Sequence, residues 1–212
     1  MFEEENLNNL NESFNELNKI REESLTISRE IVQLSSKCIR SIHRDNFEIA
    51  LNYIESASEK LIKLKQISKK VSEISYAGYV LDAEREYVEA VLFYKFEESG
   101  TLEPFKNFEV HPSSYIQGIG DTIGEWRRKA LEMLRKLEID QAEKYLMVME
   151  DSLEILNQLD YPDALTGGLR RYADNARSII ERTRSDITNA FINESLRIDL
   201  SKLNKVSYLQ FL

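Results

Sequence analysis

The chain has 212 residues, 42% of them hydrophobic, with 28 Lys and Arg against 37 Asp and Glu for a net charge of −9. Seven Gly and three Pro are too few turn formers for a sandwich, a barrel or a chain of short strands. The acidic balance excludes a nucleic-acid binder acting by bulk charge, so any such binding needs a local basic patch or a bridging metal.

The start, Met1-Phe2-Glu3-Glu4-Glu5, is not a signal peptide, and no run approaches the roughly 18 apolar residues of a membrane span. From there apolar residues recur at three and four. Leu7, Leu10, Phe14 and Leu17 begin one buried stripe of a long helix, and Ile27, Ile31, Leu34, Cys38 and Ile42 continue it. Cys38, the single cysteine, falls on that stripe and reads as buried and inert. It excludes a disulfide framework or a cysteine-ligated zinc site and points to a reducing, cytoplasmic setting. Asp45-Asn46 punctuates the chain, and Phe47, Ala50, Leu51, Ile54, Ala57, Leu61 and Leu64 make a second helix. A third runs from about Ser72 to Glu97. It is apolar on nearly every side, which places it in the middle of a bundle. Ser99-Gly100 ends it, and the stretch to Pro112, with Pro104, Phe105 and Phe108, reads as an ordered loop.

A fourth helix starts near Ser113 or Ser114, good N-cap types, and runs to about Leu137. Asp140 can cap a fifth, reaching Leu159 before Asp160-Tyr161-Pro162 breaks the chain. The sixth carries Leu169, Tyr172, Ala173, Ala176, Ile179, Ile180 and Ile187. The segment 193–212 is too apolar for a free tail and is expected to pack on this chain or a neighbour. The fold class is all-α, a bundle of long helices in one domain spanning residues 1–212.

Two clusters can carry chemistry. In Glu86-Tyr87-Val88-Glu89 the two glutamates lie about 60° apart on one helix face, one turn apart, with Asp82 sharing that face. Their neighbours Ala83, Ala90 and Phe93 are apolar. An acid pair so placed needs a counter-charge, a shared proton or a metal ion. The second cluster, Gly118 to Glu125, aligns Asp121 and Glu125 at i,i+4 opposite the apolar Ile119, Ile123, Trp126 and Ala130. Its three glycines cost a helix roughly 1 kcal/mol each relative to alanine. Such a penalty persists where another backbone or a ligand must come close, and Gly124, beside the acids, is a candidate for that approach. Four carboxylates on two helices suit Mg²⁺ or Mn²⁺, which can serve phosphodiester hydrolysis. A di-iron site of the Glu-x-x-His type is excluded, because neither His43 nor His111 has a glutamate three residues before it.

Each feature also has a plainer reading. E-x-x-E is common on surface helices, and Arg128 can simply pair with Asp121 or Glu125. Arg127-Arg128-Lys129 and Arg170-Arg171 are candidate phosphate contacts or merely solvated faces. His43-Arg44 complements the dipole of a helix C-terminus. Tyr76, Tyr79, Tyr87, Phe93 and Tyr94 read as core.

These segments resemble the translin family and, within it, the nuclease branch typified by translin-associated factor X (Trax). Residues 86–91, EYVEAV, look like the matching Trax segment, and Tyr115 to Glu125 is similar to its YLxGxxDxxGE segment. Ser28-Arg29-Glu30-Ile31 through His43-Arg44 matches the spacing of its first helix, and Leu165 to Ile187 resembles its last long one. The resemblance spans roughly residues 25 to 190 and implies a seven-helix bundle assembled into octameric shells with inward-facing sites. It assigns Glu86, Glu89, Asp121 and Glu125 as the catalytic, Mg²⁺-binding carboxylates of an endoribonuclease acting on single-stranded or nicked RNA. Arg127, Arg128 and Lys129 would hold the backbone. Trax works with translin subunits, so a chain acting alone would form a homo-oligomer. The alternative is a non-catalytic scaffold that binds RNA or single-stranded DNA, as translin does.

Overall fold

The computed structural model describes residues 4–209, excepting the side chains of Glu5 and of residues 203–209. Among these residues there are eight α-helices and no strand: α1 (Glu4–Ile42), α2 (Phe47–Ser68), α3 (Ser72–Ser75), α4 (Gly78–Ser99), α5 (Pro112–Arg135), α6 (Ile139–Asn157), α7 (Asp163–Thr166) and α8 (Leu169–Leu209). The all-helical expectation holds. Six of the eight are long, and α3 and α7 are single turns of four residues. No described helix is long and apolar enough to cross a membrane.

The chain divides into two compact units. The first holds residues up to Ile119 together with Leu165–Gly167, and the second holds Gly120–Ala164 and Gly168–Leu212. In the first unit α1 and α2 pair antiparallel across a tight turn, where Asp45 takes a left-handed φ of 58° and the Asn46 amide donates to Ser41 O at 3.0 Å. Lys60–Glu30 and Lys63–Glu23 ion pairs, at 2.6 and 3.2 Å, fix the register. α4 packs on both helices and buries Val80, Ala83, Val88, Leu92 and Phe93, as expected of a central helix.

The helix expected from Ser72 onward is interrupted at Tyr76–Ala77. The Ser75 hydroxyl donates back to Ser68 O at 2.8 Å, and the Tyr76 ring meets the His111 ring edge-on at 5.3 Å. Those contacts hold Tyr76 outward, 64% exposed, so it is not the core residue the spacing suggested. α4 ends at Gly100, whose φ of 70° is the left-handed cap that glycine adopts freely. The loop that follows is ordered, as expected. Tyr115 donates to Glu103 O at 2.9 Å and packs against Phe105 and Phe108, with ring centroids at 5.2 and 5.3 Å. α5 opens on Pro112, whose missing N–H and fixed φ suit the first helical position. The expected cap at Ser113 therefore falls one residue inside the helix.

In the second unit the core is Ile123, Trp126 and Ala130 of α5, Leu146, Met149 and Leu156 of α6, and Ala176, Ile180 and Ile187 of α8. α6 begins after Leu137, held at φ 61°, and its first residue is Ile139, so Asp140 lies in the first turn rather than capping it. There its charge complements the helix dipole. α8 continues unbroken for 41 residues, through the point where the sequence suggested a separate segment at Asn193. Leu196, Ile198 and Leu200 are exposed on it, and Leu203, Val206, Leu209 and Phe211 lie outside the described side chains. The stripe at Leu7, Leu10, Phe14 and Leu17 is exposed too, and it becomes buried only at Ser24 and Ile27. Periodicity marked an apolar face there, but α2 is too short to cover it.

Candidate active site

In the first unit Glu86 and Glu89 lie half-buried one turn apart on α4, beside Ala83, Ala90 and Phe93, which are each 1% exposed or less. Arg85 supplies a counter-charge, its guanidinium donating to Glu86 at 3.2 Å and standing 3.7 Å from Asp82. Between the two glutamates, at Val88, α5 crosses α4. A Cβ on Gly118 would come within 2.6 Å of Val88 Cγ1 and 3.1 Å of Arg85 O. Glycine is therefore required at Gly118 for the helices to meet. Burial raises the Tyr87 phenol above its ordinary pKa, with a Ser58 hydrogen bond opposing and Glu103 adding to the shift.

Glu84 was not singled out by sequence, although it belongs to the same acidic run. It is fully buried, ion-paired with Lys65 of α2, and accepts a 2.7 Å hydrogen bond from the His111 backbone N–H. One carboxylate thus ties α2 and α4 to the residue preceding α5. The Gln117 side chain makes a comparable tie, donating to Thr166 O at 3.1 Å and Gly167 O at 3.2 Å.

In the second unit Asp121 and Glu125 are half-buried on α5, opposite the buried Ile123 and Trp126. Arg128 stands 3.9 Å from Glu125. Gly120 meets Tyr172 of α8, whose ring carbon would lie 2.7 Å from an added Cβ, whereas Gly124 has nothing within 4 Å. The close approach expected at Gly124 thus comes from no described part of this chain.

The three basic residues that follow separate. Arg127 donates to Thr183 Oγ1 at 2.8 Å and Asp186 Oδ2 at 2.9 Å, locking α5 to α8. Lys129 is 3% exposed. Only Arg128 faces solvent. Consecutive residues step about 100° around a helix, so three in a row cannot share a face. Arg170 and Arg171 are exposed on the first turn of α8, next to the Tyr172 that packs on Gly120.

The donors are all carboxylate oxygens, without thiolate or imidazole, which fits a hard divalent cation. Each unit by itself offers two. Among the described residues no group of three or more His, Cys, Asp or Glu is gathered that could hold a metal ion.

This arrangement defines an all-helical protein with one acid pair on α4 of the first unit and another on α5 in the second, and its likeness to known proteins places it. No protein-family model matches the chain. An uncharacterized protein of Methanocaldococcus jannaschii is 34% identical over 189 residues, covering 87% of this chain and 82% of that one. The solved structure of AfC3PO in complex with duplex RNA is 36% identical, with a TM-score of 0.82 over 88% of this chain and 97% of that one. Apo-NeC3PO is 26% identical, with a TM-score of 0.80 over 90% of this chain and all of that one. The chain belongs to the translin family, the family of the C3PO proteins.

Proposed function

We propose that this protein is a Trax-like, Mg²⁺-dependent endoribonuclease that cleaves RNA phosphodiester bonds as a homo-oligomer. The observation that carries the reading is the likeness, along nearly the whole of that chain, to a C3PO solved with duplex RNA bound. The four carboxylates matching the Trax segments add the chemistry. Glu86 and Glu89 from one unit and Asp121 and Glu125 from the other would hold the metal, Mg²⁺ or Mn²⁺. When bound it would supply Lewis-acid polarisation of the phosphate and activation of water. The residues' own part is to bind and to move a proton: a carboxylate not engaged by the cation accepts the proton from the attacking water. Arg128, Arg170 and Arg171, which are exposed, are the candidates for phosphate contacts, whereas Arg127 and Lys129 serve the fold. Open space at Gly124, beside Glu125, leaves room for a nucleic-acid backbone to approach.

The second reading is a non-catalytic scaffold that binds RNA or single-stranded DNA. It is favoured by the arginines already standing near the acids, Arg85 at Glu86 and Arg128 at Glu125. Labelled single-stranded and duplex RNA, incubated with the purified chain in Mg²⁺ and in EDTA, decide between them. Cleavage that EDTA abolishes while RNA remains bound supports the nuclease. Binding that survives chelation, with no cleavage in either condition, supports the scaffold.

A further inference from the structure

Neighbouring residues on a helix point about 100° apart and do not ordinarily face each other. Arg85 nevertheless donates to Glu86, the next residue in the chain, through Nη2 at 3.2 Å. The same nitrogen stands 3.7 Å from Asp82 Oδ1, one turn back. The guanidinium therefore lies across the face of α4 that Asp82, Glu86 and Glu89 share, instead of extending away from the helix.

The two carboxylates within its reach differ in their surroundings. The Arg85 and Glu86 side chains are 21% and 23% exposed, whereas that of Asp82 is 65% exposed. Water and salt screen the first pair less than the second, so Glu86 is the stronger partner and Asp82 the weaker alternative. Arg128 beside Glu125 has no such hold: its side chain is 64% exposed and 3.9 Å away, where an ion pair contributes little. The backbone at Arg85 is fixed from two sides. Its carbonyl oxygen lies 3.1 Å from where a Cβ on Gly118 of α5 would stand, and the preceding Glu84 is tied to Lys65 and to the His111 amide. These ties keep α4 from turning, so only the side chain of Arg85 is left to move.

We propose that Arg85 is an exchangeable counter-ion of the α4 acid pair: it holds Glu86 while no cation is bound and swings to Asp82 when Glu86 takes one. The proposal rests on the reading of Glu86 and Glu89 as cation ligands. A guanidinium and a divalent cation repel each other at one carboxylate. Asp82, already within reach, receives the guanidinium after a side-chain rotation. Asp82 is thus the acceptor that lets Glu86 go, not a ligand of the cation. While the face is without a cation, Arg85 offsets the mutual repulsion of three carboxylates on one helix face.

The test reads cation binding by the full chain, not cleavage. Mn²⁺ is the probe, followed by the electron paramagnetic resonance signal of the free ion. Arg85→Gln should bind Mn²⁺ about tenfold more tightly than the wild type, and Asp82→Asn about threefold less tightly. In the Arg85→Gln background, Asp82→Asn should have no effect, because no guanidinium is left to receive. Glu86→Gln should lose the site, and circular dichroism verifies that each variant is folded. Crystals of the unsubstituted chain grown with and without Mn²⁺ need no variant: the guanidinium should lie at Asp82 with the ion and at Glu86 without it. An equal loss from Asp82→Asn with and without Arg85 would make Asp82 a ligand and overturn the exchange. Unchanged affinity in Arg85→Gln, or a guanidinium still at Glu86 beside bound Mn²⁺, would overturn it too. Binding that persists in Glu86→Gln, or no binding by any variant, would instead overturn the cation site itself, and the exchange with it.

Discussion

Glu84 shows how much one buried charge can organise. It sits two residues before Glu86, in a run where Asp82, Glu84, Glu86 and Glu89 read alike. Only the fold separates it, by bringing Lys65 from 19 residues upstream and the His111 amide from 27 downstream. Such long-range pairing leaves no local signal, which is why the sequence pointed to its neighbours instead. Glu84→Gln leaves Lys65, one-fifth exposed, without its counter-ion. It should destabilise the chain by about 3 kcal/mol in a denaturant titration, and the paired change Glu84→Leu/Lys65→Met should recover most of that. Equal destabilisation by the single and double variants would mean that packing, not charge, is what Glu84 contributes. Cys38 was legible in advance because its burial follows from the stripe. Burial pushes its thiol from 9.0 up to about 12. Below pH 9 the thiol is neutral in both folded and unfolded chains, and its contribution is complete. Between pH 9 and 12 the unfolded chain ionises and the folded chain resists, so stability falls as pH rises. Cys38→Ala should flatten that fall, read as the difference in unfolding free energy between pH 8 and pH 10.5, whatever its effect at pH 8.

At the scale of the element, α5 carries its instructions in three glycines, and the structure gives them three different tasks. Gly118 lets α5 cross α4 at Val88, Gly120 receives Tyr172 of α8, and Gly124 meets nothing. Gly118→Ala should therefore destabilise by about 1–3 kcal/mol through overpacking. Gly124→Ala should stabilise by about 1 kcal/mol through helix propensity alone. If open space at Gly124 exists for a nucleic-acid backbone, the same stabilised variant binds or cleaves RNA less well. Thermal melts set beside an RNA-binding titration separate the two effects. The glycine cluster was visible in the sequence, but not which glycine meets which partner, since that depends on crossing points between elements far apart in the chain. The same limit explains the break at Tyr76–Ala77, where Gly78 is the one local sign and the contacts of Ser75 with Ser68 and of Tyr76 with His111 come from outside the segment. It also explains Arg127 and Lys129, which helical geometry alone could have separated from Arg128.

For the whole molecule, the all-helical class followed from composition and period, and both outer helix ends announced themselves as apolar. Which apolar faces stay open did not follow, because that depends on the relative lengths of α1 and α2 and of α6 and α8. The acidic balance has a functional consequence as well. A chain of net charge −9 gains little from long-range attraction to a polyanion, so under the proposed function recognition would rest on a few exposed arginines and on cations held by carboxylates. The proposed nuclease therefore requires that the acid pairs of the two units act together. Glu89→Gln, Asp121→Asn and the double variant can be compared with the wild type for single-turnover RNA cleavage in Mg²⁺. Groups that serve one metal-dependent step are strongly non-additive. For the proposed nuclease, each single change lowers the rate by about 10³-fold or more and the double variant is scarcely slower than either. Single variants that keep wild-type rates, or losses that simply multiply, would contradict it.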